Sequence, residues 1–376
     1  MSHYTFSEIF HQPETWRKIP AIAEENASSL NSFMSDFMGT DGQILLAGAG
    51  SSEYIGKTLC PYLGRFGRCA VNSCGTTDLV VSPESYLSPQ KKTLLVSFAR
   101  SGNSPESLGA IRAAETVSSQ LRQLIVTCNR QGDLSLLGAE NSGYYMIHLP
   151  DETNDQGFAM TNSFTSMYLM ALLCLLPEKL EENKRAVMDI ASAAERFLNG
   201  WTGIIAGWAG AFFFNRIVYL GSEALKGIAQ ESSLKMLELT RGQVSALFDS
   251  PVGFRHGPKS FVDDGTLVVF YLSDDSFARQ YELDLLREMS RERRENKLLV
   301  VCGQPCDEAM SLADYYYCFN NTDCYENGLL APEFLLIAQM LAIHKSLSLQ
   351  IDPDDPNPAG IVNRVVQGVT IYPYTP

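Results

Sequence analysis

Ile44-Leu45-Leu46-Ala47-Gly48-Ala49-Gly50-Ser51-Ser52-Glu53 reads as a buried strand that runs through a turn of small residues into a helix start. The same grammar returns in Leu94-Leu95-Val96-Ser97-Phe98-Ala99-Arg100-Ser101-Gly102-Asn103-Ser104-Pro105-Glu106. In a parallel sheet such turns lie at the C-terminal edge of the strands, where ligands bind. Glycine lets the backbone approach closely, serine hydroxyls donate, and the unpaired N–H groups of the next helix attract an anion. Ser104 is predicted as an N-cap and Pro105 as the first helical residue. Capped helices alone would explain one such turn; two, both loaded with serine, point to an anion site.

Outward from these turns the alternation continues. Gln43–Ala47, Cys69–Val71, Thr93–Phe98, Gln123–Thr127 and Tyr144–His148 are predicted as buried strands, with helices over Ser52–Leu63 and Pro105–Val117. A mostly helical stretch spans Phe164 to Trp208. Strands then resume at Arg216–Leu220, Val244–Phe248, Thr266–Leu272 and Lys297–Val301, with helices over Ser222–Thr240, Phe277–Arg294 and Pro332–Leu349. Alternation of this kind predicts an α/β fold of parallel sheets flanked by helices, one architecture used twice. The expected division is a helical N-terminal segment over 1–40, a first domain over 41–195, a second over 196–351 and a proline-rich tail over 352–376.

At 376 residues the chain exceeds what one core usually serves, which agrees with two domains. A 45% hydrophobic and 19% charged composition is that of a globular protein rather than a disordered one. The net charge of −14 repels nucleic acid and anionic membranes, so neither is an expected partner. The basic stretch Arg291 to Lys297 is interleaved with acids and reads as a solvated helix end. Met1 to Phe10 lacks the pattern of a signal peptide, and the apolar runs Met167 to Leu176 and Gly203 to Phe214 are short for a membrane span. Nine scattered cysteines fit a reducing cytoplasm. Cys302, Cys306, Cys318 and Cys324 match no common zinc spacing, so no metal is expected.

Two familiar phosphate motifs fail. Gly48-Ala49-Gly50 begins a dinucleotide fingerprint, but Glu53 stands where the third glycine belongs, and Val71-Asn72-Ser73-Cys74 offers no acid to a ribose. No Gly-Lys-Ser/Thr follows either turn, which excludes a Walker loop. A small phosphomonoester fits best.

The second half supplies ionisable groups. Glu231, Lys235 and Glu238 are spaced to share one helical face, the pattern also of a plain surface ladder of ion pairs. His256 follows in Gly253-Phe254-Arg255-His256-Gly257-Pro258-Lys259, a tight loop that suits close approach better than a core. A carboxylate and an imidazole are the groups that move protons at carbon and oxygen near neutral pH.

These segments resemble a known family. Ser101-Gly102-Asn103-Ser104 with the Gly50-Ser51-Ser52 turn is similar to the phosphosugar-binding SIS domain. The Glu231 to Glu238 helix followed by Arg255-His256-Gly257-Pro258 resembles the isomerase half of glucosamine-6-phosphate synthase. Over almost the whole chain the likeness is to the AgaS family of galactosamine-6-phosphate deaminases, also described as tagatose-6-phosphate ketose/aldose isomerases. Ser101 to Ser107, Gly157 to Thr161, Phe254 to Ser260 and Val362 to Gly368 carry it most specifically.

The resemblance implies two flavodoxin-like SIS domains in a cytoplasmic homodimer or larger homo-oligomer, with no cofactor. It implies that Gly50, Ser51, Ser52, Arg100, Ser101, Gly102, Asn103 and Ser104 hold the phosphate, with Lys235 and Asn363 as further substrate contacts. Glu238 matches the C1–C2 proton carrier and His256 the group that assists ring opening, often lent by a neighbouring subunit. Unlike the synthase, the sequence shows no glutaminase segment before residue 41 and no cysteine at Met1-Ser2. Its tail has Asn363 or Arg364 where the synthase has lysine, so a deaminase is expected rather than an amino-sugar synthase. The alternatives are a plain aldose–ketose isomerase, a glucosamine-6-phosphate deaminase and, in another class, a sugar-phosphate sensor. Nothing in residues 1–40 resembles the basic helix-turn-helix of SIS-domain regulators.

Overall fold

All seven residues of β1 (Gly42–Gly48) are buried, as expected for a parallel strand covered on both faces. The computed structural model describes residues 3–39, 41–67, 69–139, 141–212, 214–366 and 368–375. Met1, Ser2 and Gln367, on which parts of the sequence reading fall, lie outside them. The chain forms two α/β units. The first comprises Glu14–Gln156, Met160–Lys184 and Ala359–Pro376; the second comprises Met1–Pro13, Gly157–Ala159 and Arg185–Pro358.

Helices α1 (Tyr4–Trp16) and α2 (Ile19–Met34) lead into the first sheet. That sheet combines β1 with β2 (Ala70–Gly75), β3 (Lys92–Ala99), β4 (Leu121–Thr127) and β5 (Tyr144–His148). Its strand order is β2-β1-β3-β4-β5, all parallel, with α3 (Ser51–Phe66), α4 (Thr76–Val81), α5 (Pro105–Val117), α6 (Asp133–Ala139) and α7 (Asn162–Leu175) between or after the strands. This is the flavodoxin-like order, whose direction of winding switches between β1 and β3. Leu45, Ala47, Leu95, Ala110 and Ala114 form part of the core where α5 covers the sheet.

Helix α8 (Leu180–Ala211) follows, and the domain joint placed near Glu195 lies inside it; the two units divide instead between Lys184 and Arg185. The second sheet contains β6 (Arg216–Leu220), β7 (Ser245–Asp249), β8 (Thr266–Leu272), β9 (Lys297–Cys302) and β10 (Tyr315–Cys318). Its order, β7-β6-β8-β9-β10, repeats that of the first, with a switch point between β6 and β8. Around it lie α9 (Ala224–Leu239), α10 (Pro251–Phe254), α11 (Ser276–Glu292), α12 (Asp307–Leu312) and α13 (Asn327–Ser348). The apolar runs singled out in the sequence passed over α13, which is long and apolar enough to cross a membrane. It is instead a buried core helix that also encloses Glu333 and Lys345.

Candidate functional site

The turns after β1 and β3 flank the switch point of the first sheet, because β1 and β3 are neighbours in register (Ala47 beside Ser97). In the first turn Gly48 admits no side chain: a Cβ there would stand 2.3 Å from the backbone carbon of Ser52. Gly50 holds φ 56° and ψ −126°, a conformation that side chains disfavour, and it lets the chain enter α3 at once. Ser51 and Ser52 are buried in the first turn of α3, and the Ser52 hydroxyl lies 3.8 Å from the Met160 sulfur.

The second turn is braced from the β4 side. Asn129 Nδ2 donates to the Ser101 carbonyl (2.7 Å), Leu134 N–H donates to the Gly102 carbonyl (3.1 Å), and Asp133 N–H donates to Asn103 Oδ1 (3.0 Å). Gly102 takes φ +69° against the backbone of Gly132. Ser104 occupies the N-cap position of α5 in an extended conformation, yet its hydroxyl makes no cap bond. The expected N-cap therefore holds in backbone only and leaves that hydroxyl for another acceptor. Arg100 is buried, and its Nη2 donates to the carbonyl of Arg364 (2.7 Å). Asn363 is exposed, its amide 3.4 Å from the Gly360 carbonyl.

Asp155 was missed by sequence reasoning. Its buried carboxylate accepts from the N–H groups of Thr161 (2.8 Å), Asn162 (3.2 Å) and Ser163 (2.9 Å), and so caps α7. An aspartate before a helix was the available signal, but its partners lie farther along the chain than N-cap spacing allows.

In the second unit, Glu231, Lys235 and Glu238 share one face of α9, as their spacing predicts, but they form no surface ladder. Lys235 and Glu231 are 0% exposed, and Glu238 is 24% exposed. Lys235 Nζ lies 3.3 Å from Glu231 Oε1 and 2.5 Å from Glu238 Oε2. Burial opposes the charge on Lys235, yet the two carboxylates outweigh it and hold its pKa above the ordinary lysine value.

His256 is exposed on the turn after α10, and its N–H closes that turn on the Gly253 carbonyl (2.9 Å). Gly257, at φ +123°, completes the turn. Arg255 pairs with Asp284 and Glu288, and Lys259 with Glu288 and Glu292, which fixes the loop to α11. The topology separates His256 from Glu238. Helix α9 leaves the C-terminal end of β6 and carries Glu238 about 21 Å down its length, toward the edge where β7 begins. His256 follows the opposite end of β7. The two side chains therefore belong to opposite edges of one sheet.

Among the described residues one other group could hold a cation: His3, Asp352 and Asp354. Asp354 is already engaged, since it accepts the N–H groups of Tyr4 and Thr5 at the start of α1.

No protein-family model matches the chain. It is 40% identical, over 99% of its length and 92% of the relative's, to the D-galactosamine-6-phosphate deaminase AgaS of Shewanella sp. (strain ANA-3). It is 38% identical, over 99% of its length and 96% of the relative's, to the protein of the same name from Escherichia coli. The crystal structure of tagatose-6-phosphate ketose/aldose isomerase from Escherichia coli superposes with a TM-score of 0.91 at 36% identity, covering 100% of this chain and 98% of that one. The C-terminal domain of glucosamine-fructose-6-phosphate aminotransferase from Francisella tularensis shares the fold, with a TM-score of 0.78 at 18% identity over 94% of this chain and 98% of that one.

Proposed function

As a member of the AgaS family of galactosamine-6-phosphate deaminases, the chain is, we propose, a deaminating isomerase that converts galactosamine 6-phosphate and water into tagatose 6-phosphate and ammonia. The observation that carries the reading is the enclosed Lys235 between Glu231 and Glu238. Burying ions costs several kcal/mol each and stabilises a fold poorly compared with apolar packing. A triad that submerges two members and leaves the third about one-quarter exposed makes sense as a mount for a working carboxylate.

The serine turns of the first unit anchor the phosphate through Ser52, Ser101 and Ser104, with N–H groups at the starts of α3 and α5 supporting the charge. His256 moves the proton that opens the sugar ring. Glu238 then takes the proton from C2 and returns it to C1 through an enolamine. Water adds to the resulting C2 imine, the C–N bond breaks, and ammonia leaves. General acid–base groups of this kind each contribute about 10²–10⁴-fold. Because His256 and Glu238 occupy opposite edges of their sheet, the imidazole is supplied by a second copy of the chain in a homo-oligomer. Nine free thiols suit a cytoplasmic setting.

Glu238→Gln tests the assignment by ammonium release from galactosamine 6-phosphate. Turnover is expected to disappear while phosphate binding persists; near-normal turnover would remove Glu238 from the reaction. Isomerisation of an aldose 6-phosphate without ammonium release from the amino sugar would instead favour the plain isomerase.

A further inference from the structure

Residues 359–376 belong to the first α/β unit and are fastened to it at two places. One lies at the β3 turn. The Arg364 carbonyl accepts from the Arg100 guanidinium (2.7 Å), and the Arg364 guanidinium donates to the carbonyl of Asp155. The other lies on α5. A Cβ at Gly109 would stand 2.7 Å from Ile371 Cγ2 and 3.1 Å from Val80 Cγ1, so this helical position is open to the tail only as glycine. Glycine inside a helix is less favourable than alanine, and the seat of Ile371 explains its presence. Tyr374 packs against the core that α5 helps to form. Between the two fastenings Val366 and Val369 stay exposed, so the segment is a strap held at its ends rather than a packed layer.

We propose that this strap positions the phosphate loop: Arg364 is a positioning residue that orients Arg100, and Ile371 in the Gly109 notch holds the strap down. The inference rests on the reading of Arg100 to Ser104 as the phosphate anchor. Both fastenings bear on that loop, since Arg100 begins it and α5 continues it. By reciprocity, docking of the strap strengthens phosphate binding and bound phosphate secures the strap.

The test compares the full chain with Ile371→Asp and with a chain ending at Thr370. Couplings of this kind change affinity by about 5- to 150-fold. Ile371→Asp and the truncation are expected to weaken inorganic phosphate binding and raise KM for galactosamine 6-phosphate within that range. In both, kcat should hold within about twofold, the signature of lost uniform binding, and Ile371→Val should behave as the parent. In the parent, inorganic phosphate should slow tryptic release of residues 365–376. Unchanged or lowered KM in both altered chains, or tryptic release indifferent to phosphate, overturns the strap. Ser104→Ala separates the two readings: if it binds phosphate like the parent, the anchor fails and the strap with it. If it loses phosphate while Ile371→Asp does not, the strap alone is overturned.

Discussion

Gly50 and Glu223 hold the same backbone conformation, φ 56°, ψ −126° and φ 55°, ψ −125°, each immediately before the helix that follows the first strand of its sheet. The glycines two residues earlier match as well. A Cβ on Gly48 would meet Ser52, and one on Gly221 would meet Leu225. The turn of the first unit is thus rebuilt in the second without its hydroxyls. Where Ser51 and Ser52 follow Gly50, Ala224 and Leu225 follow Glu223.

Glu223 is strained at this φ and is tied by Asn327 Nδ2, which donates to its Oε2 (3.0 Å). Glu223→Ala keeps the strain and loses the bond, whereas Glu223→Gly loses the bond and relieves the strain. Glu223→Gly should therefore be the more stable of the two by about 1–2 kcal/mol, read from urea midpoints. Equal midpoints would mean the turn relaxes freely.

Ser104→Ala deletes a hydroxyl that no protein group uses as a cap. Hydrogen bonds to charged partners contribute about 1.5–3 kcal/mol, so KM for the sugar phosphate should rise roughly 10- to 100-fold while Tm stays put. A fall in Tm with normal KM would assign the hydroxyl to the fold.

Glu282 lies under the equivalent edge of the second sheet, where it accepts the Ser273 N–H (2.8 Å) and faces Ser222. Burial first, against the lowering effect of those two donors, pushes its pKa up to about 7. The folded state therefore holds a proton that the unfolded state has released above its own, lower pKa. That contribution to stability is complete at acid pH and is lost as pH rises to about 7. Glu282→Gln should remove the slope and stabilise the protein by about 3 kcal/mol at pH 8. Matching stability–pH curves for parent and variant would contradict the burial effect.

The central strands were readable because parallel strands covered on both faces are continuous apolar runs: Arg216–Leu220 and Thr266–Leu272 were predicted to the residue, as was the partly exposed edge strand Tyr144–His148. β10 was not, since it is four residues long, three of them tyrosine, and all but Tyr317 are partly exposed at a sheet edge, so it carries no such run. Serine turns announce themselves by residue type, so the two candidate phosphate turns were legible. The burial of Lys235 was not, because i, i+4 spacing is the same on a wet face and a dry one. Nor could sequence show that residues 1–13 join the second unit and residues 359–376 the first, because chain order does not encode that interleaving.

Lys235→Met leaves Glu231 and Glu238 on one face of α9 without their cation. Losing one partner of a buried ionic group costs about 3–5 kcal/mol, and here the two remaining charges also repel. The loss should be largest near pH 8 and shrink toward pH 5, where a carboxylate without a counter-ion takes up a proton. In the parent, the raised pKa keeps Lys235 charged through neutrality, and its contribution is lost only as pH climbs past the ordinary lysine range. A deficit independent of pH would point to packing rather than charge.

Separation of Glu238 and His256 to opposite edges of one sheet makes a prediction about mixtures. Glu238→Gln and His256→Ala should each be inactive as pure proteins. If each site takes its carboxylate from one copy and its imidazole from another, a mixed dimer holds one site with both defects and one with neither. Random pairing at equal amounts makes half the dimers mixed, so co-expression should restore about a quarter of the parental ammonium release. Dimers built from a single variant gain nothing. Were both groups drawn from the same copy, every site in the mixture would carry one defect and the mixture would stay as inactive as its parts.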